Sequence, residues 1–311
     1  MENQITRYEE SYSWWAIHRP REQEIFEGAK IVNPQHTQEP SFAYYGGPLY
    51  ASRDVYYIKL LDQTKENIFY LLAILNSRLI KMWLTFKGKK KGSAFELKTT
   101  PLSKIPIRRI NFNDPKEARI HDEIVDKVKS IRENIAKLAQ YSKYFYEPRL
   151  TKLEFEANLP NVNNEAIIRS ISSENLYNLR THPKIKIEKP EKFEEEKFYL
   201  SRVDKIELTL TSNFQLSIKG KNGTSVFIEG PEDLLNLFVV ISSNWEDKSW
   251  KEIKENLLLP DNVISFNALK TKILSEVKDI RTKILKFQKE IDQIVNKLYG
   301  LVADEIRITE G

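Results

Sequence analysis

The densest run of ionisable side chains is Lys87-Gly88-Lys89-Lys90-Lys91-Gly92-Ser93. Between Arg78 and Arg109 lie ten basic residues (Arg78, Lys81, Lys87, Lys89, Lys90, Lys91, Lys98, Lys104, Arg108 and Arg109) against one acid, Glu96. The formal net charge of the whole chain is only +5, so everything outside that stretch is net acidic. Ammonium groups placed in this way can neutralise successive phosphates and release their counterions, giving binding that weakens with salt. A solvated basic loop is the plainer use of the same residues. With about five phosphates engaged, the log-log salt slope would be about −4 to −5.

Other polar side chains fall where base or sugar contacts could be made. Arg19 and Arg21 follow two tryptophans and His18; a guanidinium can bridge a guanine edge, while Arg19-Pro20 can equally pin the turn before Ile25-Phe26. Gln35, His36 and Gln38 follow an apolar stretch, as a polar loop whose amides suit adenine edges or merely face water. Tyr44 and Tyr45 precede Gly46-Gly47 and serve either stacking or a β-rich core. Arg53 completes the candidate set.

Much chemistry is missing. The ten glycines contain no GxGxxG or GxxxxGK[ST], so no phosphate-cradling loop is legible. An amino methyltransferase needs an Asn/Asp-Pro-Pro-aromatic string, and the nearest one, Asn33-Pro34-Gln35-His36, lacks the second proline and the aromatic. The four histidines are scattered without an HExxH pair, and there is no cysteine, so neither a zinc site nor a thiol nucleophile is supported. The acids show no spacing that assigns a nuclease. No apolar run approaches the roughly 18 residues of a membrane span, and the first residues do not read as a signal peptide, so a cytoplasmic protein without a membrane partner is expected.

The elements that must carry these residues are of α+β class. Lys30–Val32 and Val55–Ile58 read as strands, and Ile68, Leu71, Leu72, Leu75, Leu79 and Trp83 recur as one helix over 67–84. Trp14, Trp15 and Trp83 are assigned to the core. Gly88 and Gly92 bracket a lysine-rich loop, and Pro101 and Pro106 close the unit. Long amphipathic helices are expected over 115–146 and from Phe266 to Leu298, antiparallel or coiled-coil-like and each roughly 45 to 50 Å long, pairing with each other or with another chain. Between them Ile206–Thr211, Phe214–Lys219 and Ser225–Ile228 alternate apolar and polar residues as a three-stranded meander. A helix follows from Pro231 to Ser242, while 184–197 reads as a charged, solvated connector. The expected parts are 1–110, 111–146, 147–262 and 263–311.

The first part resembles the TaqI-like C-terminal specificity domain of restriction-modification adenine methyltransferases. The resemblance rests on Trp14-Trp15-Ala-Ile-His18-Arg19-Pro20-Arg21, Ile25-Phe26, Ala29–Val32, Tyr57-Ile58, Tyr70–Ser77 and Pro101–Ile107, in the family's order. The stretch Glu290–Leu301 with Asp304–Ile306 is similar to the tail of the same enzymes, and 147–262 matches neither. A helix, a recognition unit ending in Leu102-x-x-Ile-Pro and a second helix also resemble type I specificity subunits.

The resemblance implies a mixed α/β target-recognition domain that binds double-stranded DNA and positions it for a methyltransferase domain or subunit. S-adenosylmethionine would then belong to that methyltransferase part, which is absent here, either cut away at a domain boundary or separately encoded. The chain would itself be non-catalytic, with Lys87, Lys89, Lys90, Lys91, Lys98, Arg108, Arg109, Arg19, Arg21, Gln35, His36, Tyr44, Tyr45 and Arg53 as its DNA contacts. Rival readings are a stand-alone type I-like subunit, a nuclease housed in 147–262, and an assembly protein that self-associates through its heptads.

Overall fold

A computed structural model describes residues 23–52, 54–146, 162–171, 176–199, 208–210, 214–220, 223–242 and 248–310. The fold is mixed α+β, as expected. Its contacts divide the chain into two compact units: unit 1 takes Met1–Glu133 with Ile284–Gly311, and unit 2 takes Asn134–Lys283.

Unit 1 opens on two small antiparallel sheets. Strand β1 (Lys30–Pro34) lies between β3 (Ala43–Tyr45) and β4 (Val55–Ile58), with Ile31 opposite both Tyr44 and Ile58. Strand β2 (His36–Thr37) continues from β1 and joins β5 (Lys90–Lys91) and β6 (Ala94–Glu96) in the order β2-β6-β5. Both strands read from the apolar runs are present. Lys30, fully buried on β1, donates to the carbonyls of Gly28 (2.7 Å) and Gly47 (2.5 Å), which offsets the cost of its burial. Desolvation, and then the nearby charge of Lys59, hold its ammonium below the ordinary lysine value.

The helix expected over 67–84 is two helices: α1 (Ile68–Asn76) and α2 (Arg78–Lys87), bent by 59° at Ser77. Periodicity could not show the break, because both pieces bury an apolar face in the same core. What makes the break is polar and local. The Asn76 carboxamide is held by the backbone N–H and C=O of Phe42, at 3.0 and 2.9 Å. Ser77 takes an extended conformation, and its hydroxyl caps the new helix by accepting from the Ile80 amide. The core these helices fill includes Tyr70, Ile74, Ile80 and Leu84, each at most 1% exposed. Trp83 is half-buried against it; Trp14 and Trp15 lie outside the described residues. After β6 comes a single turn, α3 (Thr99–Leu102), which ends before Pro106.

Helix α4 (Pro115–Tyr141) is followed by a 3-10 turn, Ser142–Tyr144, so the regular helix ends earlier than its apolar stripe. Unit 2 then holds α5 (Asn164–Arg169) and a two-stranded ladder of β7 (Leu176–Asn178) with β12 (Leu258–Pro260). The meander is a four-stranded sheet in the order β8-β11-β10-β9, made of β8 (Lys186–Glu188), β9 (Leu208–Leu210), β10 (Phe214–Lys219) and β11 (Ser225–Gly230). The added strand comes from the stretch read as a solvated connector. Alternating charge masked it, because its side chains remain largely exposed while its backbone pairs with β11. Leu216, Ile218, Val226 and Ile228 are fully buried on one face of the sheet, and α6 (Glu232–Ser242) contributes Leu234, Leu235 and Phe238 to the core. Helix α7 (Trp250–Asn256) begins at a reciprocal cap between Ser249 and Glu252 and buries Trp250 edge-on to Phe198.

Helix α8 (Ile264–Leu298) belongs partly to each unit, and α9 (Ala303–Glu310) completes unit 1. In unit 1, Ile291 and Val295 of α8 share the core with Ile124, Val125 and Val128 of α4. Lys127 reaches Glu290 at 2.6 Å and lies over the Phe287 ring. Tyr299, just past the end of α8, meets the segment that leads into the start of α4, so the two helices run antiparallel there. Over these unit 1 parts, the two apolar stripes pack against each other. Among the described residues no single helix is long and apolar enough to cross a membrane.

Candidate nucleic-acid interface

The lysine run is not a loop but a tight hairpin fastened to the end of α2. Gly88 donates to the Leu84 carbonyl at 2.8 Å, and a Cβ at Gly88 would lie 2.3 Å from that oxygen. Only glycine lets the chain fold back so closely. Lys90 then pairs with Phe95 and Lys91 with Ala94, across the two-residue turn Gly92-Ser93 in which Gly92 has φ +62°. Gln38 reaches Ser93 at 3.3 Å, tying the segment after β2 to the hairpin tip. The result is an exposed cationic edge of Lys87, Lys89, Lys90 and Lys91, with the Lys90 ammonium over the Phe95 ring.

The stretch's single acid sits under this edge. Glu96, with a side chain 5% exposed, accepts from Lys89 and from Lys98, each at 2.6 Å. The two lysines hold its carboxyl at about 2, and Glu96 in turn raises Lys98 above its ordinary value. One carboxylate offsets one of the two lysines, so the edge stays strongly positive. Lys87, Lys90 and Lys91 have no acid partner among the described residues.

The arginines of the same stretch are arranged differently. Arg109 pairs with Glu66, Arg108 with Glu117 at 2.9 Å, and Arg78 with Asp292 at 3.6 Å. A phosphate approaching any of them must compete with a carboxylate already in place. Sequence order alone put these arginines with the lysines; chain closure brings acids from elsewhere in unit 1 to meet them.

Of the remaining candidates, Gln35 is half-buried and His36 exposed opposite Glu96. The expected polar loop here is the junction of β1 and β2. With its amide oriented to suit its neighbours, Gln35 donates to Asp54 (3.2 Å) and accepts from Lys98 (3.1 Å), so it borders the lysine cluster. Tyr44 and Tyr45 lie on β3. The Arg132 guanidinium covers the Tyr44 ring at 4.3 Å and the Phe69 ring at 4.8 Å, while Tyr45 is 43% exposed. Arg19, Arg21 and Arg53 lie outside the described residues. Among the described residues, no group of three or more acids and histidines could hold a metal ion.

The comparisons with known proteins bear on this first third of the chain. Residues 3–107 match the TaqI-like C-terminal specificity domain. The resemblance drawn from the Trp14–Arg21, Tyr70–Ser77 and Pro101–Ile107 strings is thereby borne out, and the lysine hairpin lies inside the matched region. Two curated proteins of Haemophilus influenzae, the type II methyltransferases M.HincII and M.HindII (the second from strain ATCC 51907 / DSM 11121 / KW20 / Rd), are each 36% identical over 86 residues. The matched region is 28% of this chain and 17% of each relative, so it spans about a sixth of their length. The S subunit of a type I restriction-modification system from M. genitalium aligns at 13% identity over 88% of this chain and 81% of its own, with a TM-score of 0.26, too low to carry an argument.

Proposed function

We propose that the specificity domain grips double-stranded DNA through the lysine hairpin and reads its sequence on behalf of a methyltransferase domain or subunit, without itself catalysing a reaction. The exposed edge of Lys87, Lys89, Lys90 and Lys91, set on the specificity domain with one carboxylate beneath it, carries this reading. Lysines of this kind set grip and register on the phosphates, while sequence is read by side chains that reach base edges. Gln35 and His36, beside Lys98, are the described candidates for base contact, and Arg19, Arg21 and Arg53 remain further ones. Tyr45 keeps a partly exposed ring, whereas Tyr44 is already covered by Arg132. Arg108 and Arg109 serve mainly to brace the fold through Glu117 and Glu66.

S-adenosylmethionine would be bound by the methyltransferase component, and the pair would work in the cytoplasm. The comparisons do not favour a type I-like stand-alone subunit or a nuclease in 147–262. The test is a fluorescence-anisotropy titration of a labelled mixed-sequence duplex at low salt. Binding that weakens steeply with added salt is expected; no binding below about 100 μM, against the roughly 1 to 100 μM typical of non-specific contacts, would defeat the proposal.

A further inference from the structure

We propose that Phe86 is an apolar wedge that enters between base pairs of duplex DNA while the neighbouring lysines hold the flanking phosphates. The inference rests on the DNA reading above and names a contact of a different kind. Helix α2 buries one face, with Ile80 and Leu84 at most 1% exposed and Leu79 and Trp83 packed beside them. Phe86 lies off that face, 73% exposed, the most exposed aromatic among the described residues.

A lone surface aromatic needs no explanation by itself; this one has a particular setting. Phe86 is in the last turn of α2, next to Lys87 in the chain, and the fold-back of Gly88 onto the Leu84 carbonyl starts the Lys89–Lys91 edge within three residues of it. The apolar ring is therefore close in the chain to four exposed cations, Lys87, Lys89, Lys90 and Lys91, and the helix beneath it is anchored in the core. A polyanion drawn to those cations brings with it the one apolar interior a duplex offers, the base stack. Apolar side chains that part base steps kink the helix by roughly 20 to 90°, and aromatic stacking on bases tolerates any sequence.

The experiment uses the full chain and a mixed-sequence duplex carrying a donor and an acceptor dye at its two ends. Wild type should raise energy transfer as it binds, reporting a bend. F86A should bind about tenfold more weakly, lose most of the energy-transfer change and keep the same salt slope, since every phosphate keeps its lysine. F86L, which retains an apolar wedge, should keep most of the bend. Unchanged thermal unfolding of F86A would show that the loss is local. If F86A bound and bent the duplex as wild type does, the wedge would be refuted while DNA binding stood. If wild type did not bind the duplex at all, the DNA reading would fall and the wedge with it.

Discussion

Glu66 holds the Arg109 guanidinium with both carboxylate oxygens, at 2.7 and 3.1 Å, and its Oε1 also accepts the Ile110 backbone N–H at 3.2 Å. Glu66 is 7% exposed, and Ile110 is a core residue of unit 1. The arginine thus closes a buried polar bridge between the start of α1 and the segment before α4. Glu66→Ala strips the Ile110 amide of its acceptor and should cost about 1 to 3 kcal/mol in urea unfolding. Arg109→Ala should cost less, because Glu66 keeps the backbone bond. An equal or larger loss for the arginine variant would contradict this division of roles.

Phosphate grip should follow the lysines rather than the arginines. Each phosphate left without its lysine lowers the magnitude of the log-log salt slope by about 0.9. Lys90→Gln with Lys91→Gln should therefore reduce it by about 1.8, while Arg109→Gln should leave it nearly unchanged. Titrations of one duplex over a series of salt concentrations measure both, and a larger change for Arg109→Gln would reverse the assignment.

Acid should loosen the protein through particular carboxylates. Glu66 stays below its ordinary value: burial opposes its charge, but Arg109 and backbone hydrogen bonds outweigh that. Glu96 and Glu195 are held at about 2, by Lys89 with Lys98 and by Lys189 with Lys254. A carboxyl with a depressed folded value contributes stability above its unfolded value, and that contribution disappears as pH falls through the folded one. Resistance to urea should accordingly decline as pH drops from the ordinary carboxyl value of 4.5 towards 2. In Glu96→Gln the decline should be shallower. An identical profile in that variant would show that Glu96 does not contribute.

Tyr299 joins the end of α8 to the segment before α4. Its hydroxyl donates to the Pro106 carbonyl at 2.7 Å and accepts from the Arg108 amide at 3.0 Å, and burial pushes its ionisation upward. Tyr299→Phe keeps the ring and removes both bonds, so unfolding should become easier by about 1 kcal/mol. No change in the urea midpoint would mean that water replaces both partners at no cost.

The start of α2 has two caps, the Ser77 hydroxyl on the Ile80 amide and the Asp292 carboxylate on the Arg78 amide at 2.9 Å. Ser77→Ala and Asp292→Ala should each cost about 1 kcal/mol. Because both act on the same helix terminus, the double variant should lose less than the two single losses combined. Strict additivity by urea unfolding would show that the caps act independently.

What the residues determined alone is what depends on near neighbours in the chain. Alternating or apolar runs in Lys30–Val32 and Val55–Ile58 marked β1 and β4, and the three- and four-residue recurrence from Ile120 and from Phe266 marked the two long helices, whereas Gly88 and Gly92 marked only a loop where the structure has a hairpin. Motif order in the first 110 residues carried the resemblance to the TaqI-like specificity domain, which matches residues 3–107. Periodicity reports which face is buried but not against what, so the bend at Ser77 and the pairing of Lys186–Glu188 with β11 were invisible to it. Charge along the chain likewise misstated charge in space. Glu66 reaches Arg109 across 43 residues and Asp292 reaches Arg78 across 214, separations at which only the closed fold chooses partners. By removing the arginines from the basic stretch and leaving the lysine hairpin exposed, tertiary structure decided where the positive edge lies. An ion pair depends on distance in three dimensions, and composition records none.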